Sequence, residues 1–182
     1  VEEANPDAKV LVAVTNSWFS PDDEQAASDA LIGKDCDVLA QHVDTTAPQI
    51  ASEENGTWAI GYNSDMSKET PDATLTSVIW NWSAYYTSYV NSIVNATYDG
   101  SNYYGGMDES LVGLTGLSSL CEDGTQEKVN EMQQKILSGE FGVFDGEILT
   151  NDGTVIGEEG KTLDDATITG KINWYYHNVE VV

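Results

Sequence analysis

The stretch "KVLVAVTNSWFSPDDEQAASDALIGKDCDVLAQH", Lys9 to His42, decides the fold. "KVLVAV" (Lys9–Val14) is a short β-branched run that suits a strand buried on both faces. "SPDDE" follows as a helix start: Ser20 as N-cap, Pro21 at the first helical position, acids in the first turn. Ala26, Ala27, Ala30 and Leu31 follow at helical spacing, and Gly33 ends the element. "DVLAQ" (Asp37–Gln41) is a second strand.

Working outward, "APQIASEENG" predicts a short helix ending at Gly56, "TWAIGYN" a third strand and "LTSVIWNW" (Leu75–Trp82) a fourth. Strand and helix alternating in this way imply an α/β fold with a parallel sheet and right-handed crossovers. Residues 84–98 predict an amphipathic helix with Tyr86, Val90, Ile93 and Val94 on one face. "SLVGLTGL" reads as a strand and "TQEKVNEMQQKILSGE" as a helix with Val129, Met132, Ile136 and Leu137 on its apolar face. "FGVFDGEILTNDGTVI" reads as extended segments turning at Asn151-Asp152-Gly153, and the aromatic tail "INWYYHNVEVV" as packing onto the body.

The 182 residues allow one ordinary domain or part of a larger protein, and 40% apolar content supports a core. The chain opens on Val1 without an apolar export segment, which reads as a processed or excised piece. Seven Lys+Arg against 31 Asp+Glu give a net charge of −24, a field that repels nucleic acid and anionic membrane. The acids are scattered and none match a calcium-loop pattern, so a solvated surface is the simple reading. Cys36 and Cys121 form no CxxC, and Cys36 reads as a small core thiol. Asn-x-Ser/Thr triplets at Asn55, Asn81 and Asn95 matter only in a glycosylating pathway.

In parallel α/β sheets, ligands bind beyond the carboxyl ends of the strands. Those ends gather Trp18, Phe19, His42, Asp44, Asn63, Asp65, Trp80 and Trp82, which are the candidate ligand-binding residues. No glycine-rich phosphate loop, G-x-S-x-G elbow or HExxH is present. His42 and Asp44 are one residue apart with only His177 besides, too sparse for a metal site or triad, so no catalytic residue, metal or cofactor is assigned. A hydrogen-bonding role at the cleft edge and a plain structural role stay open for His42. Trp18 and Phe19 are either core or a stacking wall for a planar heterocycle, where a stacked base contributes ~1–3 kcal/mol. Asp65 suits the two hydroxyls of a ribose, or an N-cap or turn. Trp80 and Trp82 alternate along a strand, so at most one of them faces a given side.

Six segments, "NSWFSPDDEQAASDALI", "DVLAQHVDTTAP", "WAIGYNSDMS", "LTSVIWNWSAYY", "YYGGMDESLVGLTGL" and the ending from "GEILTNDG" to "NWYYHNV", follow one another as in basic membrane lipoproteins. The chain resembles this family, the solute-binding proteins of purine-nucleoside ABC importers, over essentially its whole length. The resemblance implies a type I periplasmic-binding fold, two α/β lobes hinged around a cleft, of which this chain looks like the second half without the N-terminal lobe and lipobox cysteine. It also looks to lack the strand–helix unit that opens the second lobe. Residues 1–83 would then form the second-lobe core, residues 84–100 a helix lying against the other lobe, and residues 101–182 the return and tail. By the same resemblance, Trp18 or Phe19 supplies a stacking face, and "GYNSD" matches G-x-D/N-S-D. That match makes Asp65 the ribose or base-edge partner and Asn63 its neighbour. The loop of His42 and Asp44 stands where many members carry glycines, so nucleoside, free base and other flat heterocycles such as a flavin stay open as ligands.

The implied function is non-enzymatic: a lipid-anchored solute receptor, at the extracellular face or in the periplasm, delivering a purine-type solute to a membrane ABC permease. A ligand-sensing regulator with the same cleft, and a nucleoside-processing enzyme using Asp44 and His42, are the alternatives. An isolated fragment is expected to pair with itself through the surface its partner lobe would cover.

Overall fold

The computed structural model describes residues 1–182. In chain order the elements are β1 (Val10–Val12), α1 (Pro21–Ile32), β2 (Val38–Ala40), α2 (Ala47–Asn55), β3 (Trp58–Asn63), β4 (Thr74–Trp80) and α3 (Trp82–Val94). They continue with β5 (Val112–Leu114), α4 (Thr125–Ser138), β6 (Asp145–Leu149), β7 (Val155–Thr162), α5 (Asp165–Gly170) and β8 (Val179–Val181). The chain divides into two compact units, Thr15–Gln126, and Val1–Val14 together with Glu127–Val182.

The unit Thr15–Gln126 holds a four-stranded sheet in the order β2-β3-β4-β5. β2, β3 and β4 run parallel, and β5 closes the edge antiparallel to β4. A parallel pair needs a crossover connection: α2 supplies it between β2 and β3, whereas β3 reaches β4 through the turns of residues 64–73, without a helix. α2 ends where expected, with Gly56 left-handed at φ +68° and its N–H returned to Glu53. Leu39, Ala51, Ala59, Met66, Ala73 and Leu111 form the buried apolar core, interleaved with buried Thr70, Thr74, Thr76 and Ser77.

α1 buries polar side chains deeper than its apolar ones. Ala27 and Leu31 are half-buried and Ala26 and Ala30 exposed, whereas the buried residues are Glu24 and Ser28. The two polar residues sit one turn apart, and each has its bonds made: the Ser28 hydroxyl donates to the Glu24 carbonyl at 2.7 Å, and the Glu24 carboxylate accepts from the Ser20 N–H at 2.9 Å. Ser20 is the N-cap residue, but its hydroxyl donates to Asp23 at 2.6 Å instead of capping a backbone N–H. α3 begins at Trp82, two residues before its predicted start, and Tyr86, Val90, Ile93 and Val94 lie exposed along it.

The other unit contains the β6–β7 hairpin, turning at Asn151–Gly153 as the sequence predicts, with Gly153 at φ +86° and its N–H on the Thr150 carbonyl at 3.0 Å. β1 was expected inside the parallel sheet, buried on both faces. Instead it is half-buried and pairs only with β8, Val10 opposite Val179 and Val12 opposite Val181, in parallel. A three-residue β-branched strand needs a ladder for its backbone groups, and the extended tail supplies one. No helix is long and apolar enough to cross a membrane.

The cations do little to offset the acids. Lys135 pairs with Glu131 at 2.9 Å, Lys161 with Glu158, and His177 meets Glu2 at 3.3 Å. A net charge of −24 therefore repels itself across the folded surface. Raising KCl from about 0.1 M to about 1 M shortens the screening length from ~10 Å to ~3 Å. The thermal midpoint, followed by circular dichroism, is expected to climb by several degrees, with ~1 kcal/mol corresponding to about 2–4 °C at this chain length. A midpoint independent of salt would contradict this account.

Candidate functional site

The carboxyl ends of β2, β3 and β4 and the loop before α1 lie in the same unit and carry every residue singled out in the sequence. At their centre is His42, just beyond β2. Its ring meets the Trp18 ring edge-on, with centroids 5.1 Å apart and planes at 84°. It meets the Tyr62 ring of β3 the same way, at 4.5 Å and 90°. Edge-to-face contacts of this kind are favoured by the ring quadrupole. The Asp44 N–H donates to the Trp18 carbonyl at 2.8 Å, so the loop after β2 is tied to the loop before α1.

A second tie runs through buried Glu24, only 1% exposed. The Thr45 hydroxyl donates to its carboxylate, and the same hydroxyl accepts the Ala47 N–H at 3.1 Å where α2 begins. Thr45, not the N-cap residue Thr46, thus serves the α2 start.

Trp18 and Phe19 are not core: they are 59% and 69% exposed. Trp18 joins the ring trio, whereas Phe19 has no ring neighbour. Asn63 ends β3 with φ +68°, and the Ser64 N–H reaches back to the Tyr62 carbonyl at 2.8 Å, a tight positive-φ γ-turn. Asp65 follows, exposed, its Oδ1 accepting from the Ser67 hydroxyl at 2.6 Å and the Ser67 N–H at 3.1 Å. Those two bonds, the hydroxyl first, hold its carboxyl below the ordinary range. Neither Asn63 nor Asp65 bonds to the ring trio.

Trp80 and Trp82 correct the sequence reading. They stack on one another, 5.8 Å apart with planes at 24°, and Trp82 leans on Tyr86. Strand alternation does not separate them, because β4 ends at Trp80 and the chain turns into α3 through Asn81.

The arrangement offers ring faces and hydrogen-bonding groups. His42 is flanked by aromatic rings and makes no hydrogen bond to Asp44, and no group of three or more His, Cys, Asp or Glu side chains could hold a metal. Cys36 and Cys121 are free and half-buried, and burial pushes the Cys36 thiol up. Sequence reasoning missed Tyr62 and Glu24. Tyr62 sits one residue before the recognised Asn63 in a strand end, a legible position, whereas nothing in "SPDDE" marks which acid turns inward.

The fold is that of ABC solute-binding proteins: a solute-binding protein of Conexibacter woesei superposes with a TM-score of 0.62 at 20% identity, covering 78% of this chain and 48% of that one. The match to a family is closer still. The model of the Bmp family, described as ABC transporter substrate-binding protein PnrA-like, matches residues 1–146, and the chain belongs to that family. A purine-binding protein of Brucella abortus is 35% identical over 98% of the chain and 51% of its own length. A Haloferax volcanii protein, provisionally named an ABC transporter glucose-binding protein, is 30% identical over 78% of the chain and 36% of its own length. The chain thus spans about half the length of the first of these relatives or less.

The Ser67 contacts make a checkable statement about Asp65. A carboxyl lowered in the folded state contributes stability above its unfolded value, near 3.8, and loses that contribution as pH falls through the folded value. Ser67→Ala removes the hydroxyl donor and is expected to return the Asp65 titration, followed by carboxyl carbon NMR, toward the ordinary range. An unmoved titration would show that the Ser67 hydroxyl is not the cause.

Proposed function

We propose that this chain is one lobe of a non-enzymatic receptor that binds a purine nucleoside or nucleobase and delivers it to an ABC permease. The observation that carries the reading is the ring trio of Trp18, His42 and Tyr62 at the strand ends, with the exposed carboxylate of Asp65 in the loop that follows the end of β3. Rings exposed at such a position suit a flat heterocycle, and a carboxylate that accepts two hydrogen bonds suits a ribose diol. The purine-binding relative supports this ligand class. In this reading the solute is buried when a second lobe closes over the strand ends, Trp18 and Phe19 stack on the base, and Asn63 and Asp65 address the sugar or base edge. Trp80 and Trp82 line the adjoining edge. The whole protein would work outside the membrane, at the extracellular face or in the periplasm, held by a lipid anchor.

A hexose is the competing ligand, favoured by the name of the Haloferax relative. Calorimetric titration with adenosine, adenine, guanosine and glucose separates the two. Purine binding is expected, weakened by Trp18→Ala by ~1–3 kcal/mol, the contribution of one stacked base. Glucose binding without purine binding, or full affinity after both Trp18→Ala and Phe19→Ala, would overturn the stacking role.

The exposed face of α3 belongs to the same proposal: Tyr86, Val90, Ile93 and Val94 are where the relatives' other lobe would pack, with residues 1–83 and 101–182 forming this one. The chain on its own is then expected to dimerise through α3 in sedimentation velocity. Val90→Glu with Ile93→Glu would return it to a monomer, and a monomeric wild type would count against that surface.

A further inference from the structure

We infer that Glu24 is a positioning residue for the ligand wall, setting the distance between the Trp18 and His42 rings through the Thr45 hydroxyl. The inference rests on the stacking-wall reading of Proposed function for its consequence, though not for its geometry.

Trp18 and His42 stand on two different loops, one before α1 and one after β2, and no strand ladder joins those loops. Two hydrogen-bonded ties do. One is the backbone bond from the Asp44 N–H to the Trp18 carbonyl at 2.8 Å. The other is the Glu24 carboxylate, which accepts from the Ser20 N–H at 2.9 Å on one oxygen and from the Thr45 hydroxyl on the other. Ser20 lies two residues after Trp18, and Thr45 three residues after His42. The single buried side chain therefore grips both loops close to the rings. Thr45 passes the constraint on, since its hydroxyl oxygen also accepts the Ala47 N–H at the first residue of α2.

Glu24 touches neither ring, so its effect is on where they sit. A carboxylate 1% exposed is costly unless its lone pairs are met, and here both oxygens are met by donors from the two loops. Loosening either loop would leave the buried charge short of a partner. That penalty makes the spacing stiff, and stacking surfaces need such stiffness, because binding groups must be held within about 0.5 Å.

The test uses the whole chain, with the His42 ring carbon–proton NMR shifts as the first readout. Those shifts carry the ring currents of Trp18 and Tyr62, which a general loss of stability does not selectively erase. Thr45→Val keeps the shape and removes the hydroxyl, and Thr45→Ala gives the same reading should the valine variant fold poorly. Both are expected to move the His42 shifts toward those of a free imidazole. They are also expected to weaken adenosine binding by about ten-fold, within the span of couplings seen inside one hydrogen-bonded network. Thr45→Ser keeps the hydroxyl that donates to Glu24 and should hold wild-type shifts and affinity within about two-fold. Unchanged His42 shifts in both Thr45→Val and Thr45→Ala would overturn the inference. So would a loss of the shifts in Thr45→Ser, which would assign the loop to methyl packing. If the wild-type chain binds neither adenosine nor adenine, the ligand reading falls while the His42 shifts still decide the strap.

Discussion

A carboxylate taken out of water governs how the loops around the candidate site are arranged. Hydrophobic burial is non-directional, so an apolar α1 face would leave the helix free to rotate by a fraction of a turn. The Glu24 side chain removes that freedom, because a hydrogen bond weakens steeply when its angle is lost. Its partners, Ser20 and Thr45, come from two different loops, and the Ser28 hydroxyl one turn on donates to the Glu24 carbonyl. Helix α1, the start of α2 and the loops bearing Trp18 and His42 are therefore set by one polar cluster.

The same economy runs through the sheet. Few large apolar side chains are buried, and the interior of β4 is furnished with hydroxyls that satisfy one another and the neighbouring backbone. Thr70 and Thr74 share a bond of 2.7 Å. Thr76 donates to the Thr115 carbonyl at 3.1 Å, and the Ser77 N–H donates to the Thr115 hydroxyl at 2.9 Å. Small residues let strands and helices approach closely: a Cβ on Gly61 would lie 2.3 Å from the Ser77 hydroxyl oxygen and 3.2 Å from the Met66 sulfur. Specificity of packing here comes from paired polar groups more than from the volume of the core.

The parallel strands β2 to β4, the helices α1 and α2 and the β6–β7 turn are legible because each is written in local chemistry: β-branched runs, a Pro at a helix start, a Gly at a helix end, Asn-Asp-Gly between extended segments. What was not legible depended on partners far away in sequence. The ladder partner of β1 is the tail some 170 residues on, and no local pattern announces it. On α1 the apolar periodicity of Ala26, Ala27, Ala30 and Leu31 marks a helix, and Ala27 and Leu31 are half-buried, but it does not reveal that the most buried side chain is a carboxylate, whose acceptor role is visible only once Thr45 is beside it. The stacking of Trp80 on Trp82 was hidden by the assumption that a strand continues to Trp82, when it ends two residues earlier. Among the candidate site residues, strand ends were found from sequence, but which rings touch was not.

The end of β3 shows how this scaffold carries local strain. Asn63 takes a positive φ, a conformation that asparagine tolerates better than most side chains but that still stores energy. The strain persists because the chain is pinned just beyond it. Met66 is buried, its N–H donates to the Ser77 hydroxyl at 3.2 Å, and its sulfur accepts from the Gln41 amide at 2.9 Å. Gln41 is the residue before His42, so the pin that holds the Asn63 turn also reaches the loop that holds the ring trio. Asp65 is left between a strained turn and a buried anchor, its carboxylate turned to solvent and braced by Ser67. A carboxylate in so fixed a place presents its free oxygen without the entropy cost that a mobile surface acid would pay on meeting a ligand.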